Sequence, residues 1–156
     1  MRTSRNRTAV GLWLITALVS AVVFVSCDDE VEIPQGALEE RIVNMSGTWS
    51  IAAVSLNGTD ITERFRFENL TLKLEMNTEG PTTYEIDNNG TPFVITEDGT
   101  WSYDDNIYPQ QMIFNSGSES EFVLFAQPPI SGDERFSIEF SLGCEDNKYT
   151  YQMVRQ

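Results

Sequence analysis

Apolar residues recur at every second position over most of this chain, and that period admits a half-buried strand and little else. Leu70, Leu72, Leu74 and Met76 alternate with Thr71, Lys73 and Glu75, and Phe136, Ile138, Phe140 and Leu142 with Ser137, Glu139 and Ser141. Tyr149, Tyr151 and Met153 against Thr150 and Gln152 predict a third strand of this kind, and Gly99, Trp101 and Tyr103 against Thr100, Ser102 and Asp104 a fourth. Successive side chains of a strand point to opposite faces, so each run offers one apolar face to a core. Shorter strands are expected over 82–87, 92–96 and 111–115.

Two runs depart from the alternation. Between Thr48 and Leu56 the apolar side begins on odd positions (Trp49, Ile51, Ala53) and ends on even ones (Val54, Leu56), which predicts a bulge or sharp bend within 52–54. The run 122–126, Phe-Val-Leu-Phe-Ala, is apolar on both faces. It is either a strand covered on its outer side or an exposed patch for a partner. Asn57-Gly58, Glu79-Gly80-Pro81, Asn89-Gly90, Asp98-Gly99 and Ser131-Gly132 supply turn residues between the runs. About nine short strands with tight connections predict an all-β fold, an antiparallel meander closing as a β-barrel, with a two-sheet β-sandwich as the alternative.

The N-terminus has a different character. Arg2, Arg5 and Arg7 precede an apolar stretch over 10–25, and Phe24-Val25-Ser26-Cys27 places a small residue directly before a cysteine, as a lipoprotein signal peptide does. Phe24 stands where such motifs usually carry leucine and keeps the position apolar. The expected organisation is a signal peptide over 1–26, an acidic tether over 27–44 and one β domain over 45–156, roughly 110 residues and enough for a single core. Acyl chains on Cys27, at roughly 0.8 kcal/mol per buried methylene, would make the membrane its permanent partner. A thioether at Cys27 leaves Cys144 as a free thiol, and the adjacent Glu145 and Asp146 disfavour a reactive thiolate. Asp28, Asp29 and Glu30 read either as a solvated spacer or as a sorting signal, since acidic residues behind an acylated cysteine resemble the surface-export signal of Bacteroidetes lipoproteins. The expected address is the outer membrane, facing the cell exterior, with the periplasmic face as alternative.

Charge narrows the function classes. Three of the 10 basic residues precede Cys27 and all 24 acidic residues follow it, leaving seven against 24, a net −17. Such a surface repels phosphate backbones, so nucleic acid is not an expected partner. The chain has no histidine, the commonest general base and zinc ligand. With no Gly-x-Ser-x-Gly elbow, phosphate loop or metal-spaced ligand set, neither enzymatic activity nor a cofactor or metal is expected. Glu85-Ile86-Asp87-Asn88-Asn89-Gly90 approaches a calcium loop, but Thr96 stands where the twelfth ligand belongs, and a hairpin turn is the better reading. Asp104-Asp105-Asn106 reads as a solvated loop. The residues left for ligand contact are aromatic: Trp101, Tyr103, Tyr108, Tyr149 and Tyr151, which could line a cavity or a sugar-stacking platform. All but Tyr108 fall on the buried parity of their strands, the position of plain core residues. Tyr108, beside Pro109, is expected to be exposed.

Gly47-Thr48-Trp49-Ser50 is echoed by Gly99-Thr100-Trp101-Ser102, which is read as two strands begun in the same manner. These two motifs, the Asn57-Gly58-Thr59-Asp60-Ile61-Thr62 segment and the lipobox together resemble the lipocalin-like lipoproteins of Bacteroidetes, over most of 45–156. The resemblance implies a lipocalin-like barrel with Gly47 and Trp49 at one closed end, and Arg155 as the only candidate for the arginine such barrels carry near the end of the last strand. It also implies a non-enzymatic binding domain for a small apolar or glycan-like ligand. An accessory module docking a partner protein through 122–125 is the alternative, and a polysaccharide hydrolase the third class, needing two carboxylates about 5 to 9.5 Å apart across a cleft. An interior filled by Trp49, Trp101, Phe136 and Phe140 would oppose the ligand cup and favour docking.

Overall fold

The computed structural model describes Gly36 and residues 39–156. The expected signal peptide over 1–26, Cys27 and the acidic run Asp28, Asp29 and Glu30 lie outside the described residues. From Glu40 onward the chain forms one compact unit. Its strands are β1 (Gly47–Leu56), β2 (Thr59–Asp60), β3 (Thr71–Asn77), β4 (Gly80–Asp87), β5 (Gly99–Tyr103), β6 (Gln111–Ser116), β7 (Glu119–Phe125), β8 (Arg135–Ser141) and β9 (Lys148–Arg155), with two short 3-10 turns, Thr62–Arg64 and Phe67–Asn69, between β2 and β3.

The strands form one antiparallel meander, and β9 pairs back onto β1, closing eight strands as a barrel with the two-residue β2 as an appendix of β1. The barrel expectation is therefore met and the sandwich set aside. Closure requires β1 to serve two neighbours. Gly47 to Ser50 pair with β3, while Trp49 to Leu56 pair with β9. The register with β9 slips between Ile51 and Ala53, where the change of parity predicts a bulge. Ala52 turns outward there, and Val54 returns to the core.

The interior is packed with aromatic and aliphatic side chains. Trp49 meets Phe136 edge-on at 4.6 Å between centroids, Phe136 meets Phe125 at 6.2 Å, and Tyr103 links Phe125 to Trp101. Toward the opposite end Phe93 lies 5.3 Å from Phe140, 6.1 Å from Phe114 and 6.1 Å from Tyr151. Phe67, from the second 3-10 turn, adds a ring 5.7 Å from Tyr151. Packing also reaches back beyond the expected start at Met45, because Val43 is buried and its N–H donates to the Asn106 carbonyl at 3.0 Å.

Phe93 belongs to a segment expected as a strand over 92–96, and the structure corrects that expectation. Residues 88–98 form no strand. Phe93 and Ile95 are buried and Val94 only partly so, which reproduces the period of two, but the segment lies against the core without a ladder partner. Pro92 has no N–H to offer a ladder, and its carbonyl instead accepts the Tyr151 hydroxyl. At the end of β4 the Ile86 N–H is taken by the Asp98 carboxylate at 2.8 Å.

The two Gly-Thr-Trp motifs do begin two strands, β1 and β5, but their glycines answer different needs. Gly47 has φ +139°, and a Cβ there would collide with the Arg155 guanidinium. Gly99 lies outside the left-handed region that the Asp98-Gly99 turn implies; a Cβ there would fall 2.0 Å from the Asn115 carbonyl oxygen and 3.0 Å from the Tyr84 hydroxyl. Each tryptophan N–H is then satisfied by backbone, Trp49 by Met45 O and Trp101 by Glu75 O, both at 3.0 Å.

Since Phe93 fills the interior from a loop, Phe93→Ala should destabilise the barrel by about 3 to 5 kcal/mol. Phe65→Ala, on the exposed Phe65, should cost much less. Chemical denaturation of the two variants checks the difference; equal losses would show that the loop is not part of the core.

Candidate functional site

The aromatic residues singled out from the sequence do not form a ligand site together. Trp101, Tyr103 and Tyr151 are buried, and Tyr149 is half-buried with its ring stacked on Phe140. The Tyr103 hydroxyl donates to Val43 O at 3.0 Å and that of Tyr151 to Pro92 O, so both polar tips are engaged by backbone. Burial pushes both phenols far above the usual tyrosine range. Trp49, Trp101, Phe136 and Phe140 are all buried, the arrangement that opposes a ligand cup. Tyr108 alone is open to solvent, at 66% exposure.

What remains is the surface, and the β6–β7 hairpin is its most distinctive part. Gly117, at φ +59°, and Ser118 form the two-residue turn between Ser116 and Glu119. Along β7, Val123 and Phe125 point into the barrel, while Phe122 (56% exposed) and Leu124 (39%) point outward. The partly exposed Ile113 of β6 stands opposite Phe122. Of the two readings of 122–126, the structure bears out the exposed patch. Phe122, Leu124 and Ile113 together form an exposed apolar cluster on the barrel wall.

Near its tip the inner side of the same hairpin turns polar. Beyond the core, Glu119 and Glu121 share a cleft of about 300 Å³ with Val94, Ile95, Thr96 and Glu97 of the β4–β5 loop, floored by Phe114. Two further clefts, of about 500 and 540 Å³, lie beside the 3-10 turns and beside the chain around Arg41 to Ser46. Among the described residues no group of three or more His, Cys, Asp or Glu is disposed to hold a metal. The Glu85–Gly90 stretch ends β4 in a turn, with Asn89 and Gly90 both at positive φ. Cys144 is a free, exposed thiol in the turn after β8.

The Asp104-Asp105-Asn106 loop is exposed as expected, but it has a role the sequence reading missed. One Asp104 carboxylate oxygen accepts the N–H groups of Asp105, Gln110 and Gln111 at 2.9 to 3.0 Å. Asp105 accepts those of Ile107 and Tyr108 at 2.7 and 2.9 Å. Together they build the loop that presents Tyr108 and leads into β6. The recoverable signal is an aspartate immediately after a strand with unpaired amides following it.

Slight burial pushes the Asp104 carboxyl up, but the backbone N–H groups of Gln111, Gln110 and Asp105 outweigh it and hold it below the usual carboxylate range. The N–H groups of Tyr108 and Ile107 do the same for Asp105. Depressed folded values mean that this contribution is fully present above the unfolded value of about 3.9 and is lost as pH falls through the lower folded values. Protection of the Ile107, Tyr108, Gln110 and Gln111 amides, taken relative to the intrinsic exchange rate at each pH, should therefore fall below about pH 4 ahead of protection in β9. Simultaneous loss of protection would show that these carboxylates do not organise the loop separately.

Residues 25–154 match the family model described as Domain of unknown function (DUF5004), a span running from two residues before Cys27 into β9. Searches of curated proteins and of solved structures gave no match. The matched span takes in well over half of the chain, and the chain belongs to the DUF5004 family.

Proposed function

We propose that this protein is a lipocalin-like lipoprotein held by acylated Cys27 in the outer membrane, displayed at the cell exterior, and that its barrel docks a partner protein through the outer face of β6 and β7 without catalysing a reaction. The observation that carries the docking reading is the contrast between a filled interior and an exposed Phe122–Leu124 pair. A small apolar or glycan-like ligand would need the volume that Phe93, Trp101, Phe136 and Phe140 occupy. The lipobox and the acidic run behind Cys27 support the address, and a net −17 downstream of Cys27 suits a solvated display domain better than one apposed to anionic headgroups.

Two experiments test the parts separately. Cys27→Ser should abolish labelling by a fatty-acid probe and leave the signal peptide uncleaved; normal labelling would remove the anchor. A photo-crosslinking side chain at position 122 should capture one defined partner on intact cells. Leu124→Glu should weaken that association by about 2 kcal/mol, more than tenfold, without altering the barrel's circular dichroism. Capture unaffected by Leu124→Glu would place the contact elsewhere.

A further inference from the structure

The barrel wall is incomplete between β7 and β8. Because Ser116 and Glu119 close the hairpin and Phe125 N donates to Gln110 O at 2.9 Å, the backbone groups of Glu119, Glu121, Val123 and Phe125 serve β6. Those of Ser120, Phe122 and Leu124 face the other way. On that side Leu124 and Phe125 pair with Glu139 and Ile138, and Ala126 N reaches Ser137 O at 2.9 Å. There the register ends. β8 runs on to Ser141, paired with Lys148 of β9, but it does not pair with β7 beyond Glu139. Ser120 and Phe122 thus turn their N–H and C=O groups toward a side of β7 on which no strand is paired, a slit in the ladder of the wall.

We infer that this slit receives an extended strand of the partner, in which basic residues alternate with apolar ones; the inference rests on the docking reading above and specifies its partner. Strand addition to an open edge takes its affinity from main-chain hydrogen bonds and its specificity from alternate side chains. Side chains on the inner parity would meet Glu119 and Glu121, which line the rim cleft with Glu97 across it, and no lysine or arginine lines that cleft. Side chains on the outer parity would lie beside Phe122, with Leu124, already paired with Glu139, next along the same exposed apolar face. The two faces of one strand edge therefore select opposite chemistries at successive positions. A second copy of this chain is a poor occupant, because its own edge would bring Glu119 and Glu121 against their equivalents, and inward charges at an edge oppose self-pairing.

The probes are a six-residue peptide, acetyl-Lys-Val-Lys-Val-Lys-Val-amide, its block isomer with three lysines followed by three valines, and two versions of the alternating peptide N-methylated at every lysine or at every valine. Binding to the folded barrel is read by fluorescence anisotropy, with hydrogen exchange at Ser120 and Phe122. The alternating peptide should bind at least tenfold tighter than the block isomer, one N-methylated version should lose binding and the other retain it, and both amides should gain protection. Paired Glu119→Gln and Glu121→Gln changes should weaken binding about tenfold while leaving the fold intact. Equal affinity of the two isomers, or equal tolerance of both methylation patterns, would overturn the inference, since charge alone would then account for association. If those peptides fail while crosslinking from position 122 still depends on Leu124, the docking reading survives and strand addition does not. In-register peptide binding with crosslinking indifferent to Leu124 supports strand addition and removes only the proposed outer-face contact.

Discussion

The seam between β1 and β9 turns an open meander into a barrel, and Arg155 fixes it at one end. Its guanidinium lies 4.5 Å from the centroid of the Trp49 ring and donates to the Ser46 carbonyl, while Gln156 N donates to Thr48 O at 2.9 Å. A cation over an indole face is worth about 0.5 to 2 kcal/mol, more when water is excluded from it. Its larger effect is geometric. Position 47, at φ +139°, favours glycine, and a Cβ there would also meet the Arg155 guanidinium; beside it the Trp49 N–H donates to Met45 O and seals the end. The bulge after Ile51 lets the same strand keep both neighbours while returning Val54 to the core.

A barrel filled this tightly has given up the inside as a binding volume. Its aromatic contacts run without interruption from Trp49 through Phe136, Phe125 and Tyr103 to Trp101, and in a second group from Tyr84 through Phe114, Phe93 and Phe140 to Tyr149. Most buried polar tips are absorbed by backbone carbonyls. The Tyr84 hydroxyl is the exception among the described residues: it is buried without a well-formed hydrogen bond, and desolvation pushes its ionisation up against the opposing effect of the Ser116 hydroxyl beside it. Pairing around the wall is uneven: β4 and β5 share two register pairs, as do β7 and β8, and beside Ser120 and Phe122 the ladder stops short of the hairpin end.

Much of the architecture was legible because alternation is a local property. Leu70 to Met76 and Phe136 to Leu142 announce which face is buried without knowledge of any partner, and the parity change around Ala53 announces the bulge. Phe93 and Ile95 mislead for the same reason. Their alternation is real, but a strand also needs a neighbour to bond with, and alternation carries no information about neighbours. The surface patch was legible as one of two alternatives, since Phe122 and Leu124 had to be either covered or exposed. The slit was not legible at all, because it is defined by where pairing stops. Asp104 and Asp105 were read by charge and act as acceptors for backbone amides, a role that depends on the path of the loop after β5.

The segment Asn88 to Asp98 gives the barrel an uncommon division of labour. The wall is encoded by strands, whereas much of the filling at one end comes from Phe93 and Ile95 on a loop of 11 residues that pairs with no strand. Stopper and vessel can therefore diverge independently. Within a family built on this plan, a shorter or more polar loop would exchange a solid barrel for a hollow one while leaving every wall strand in its register.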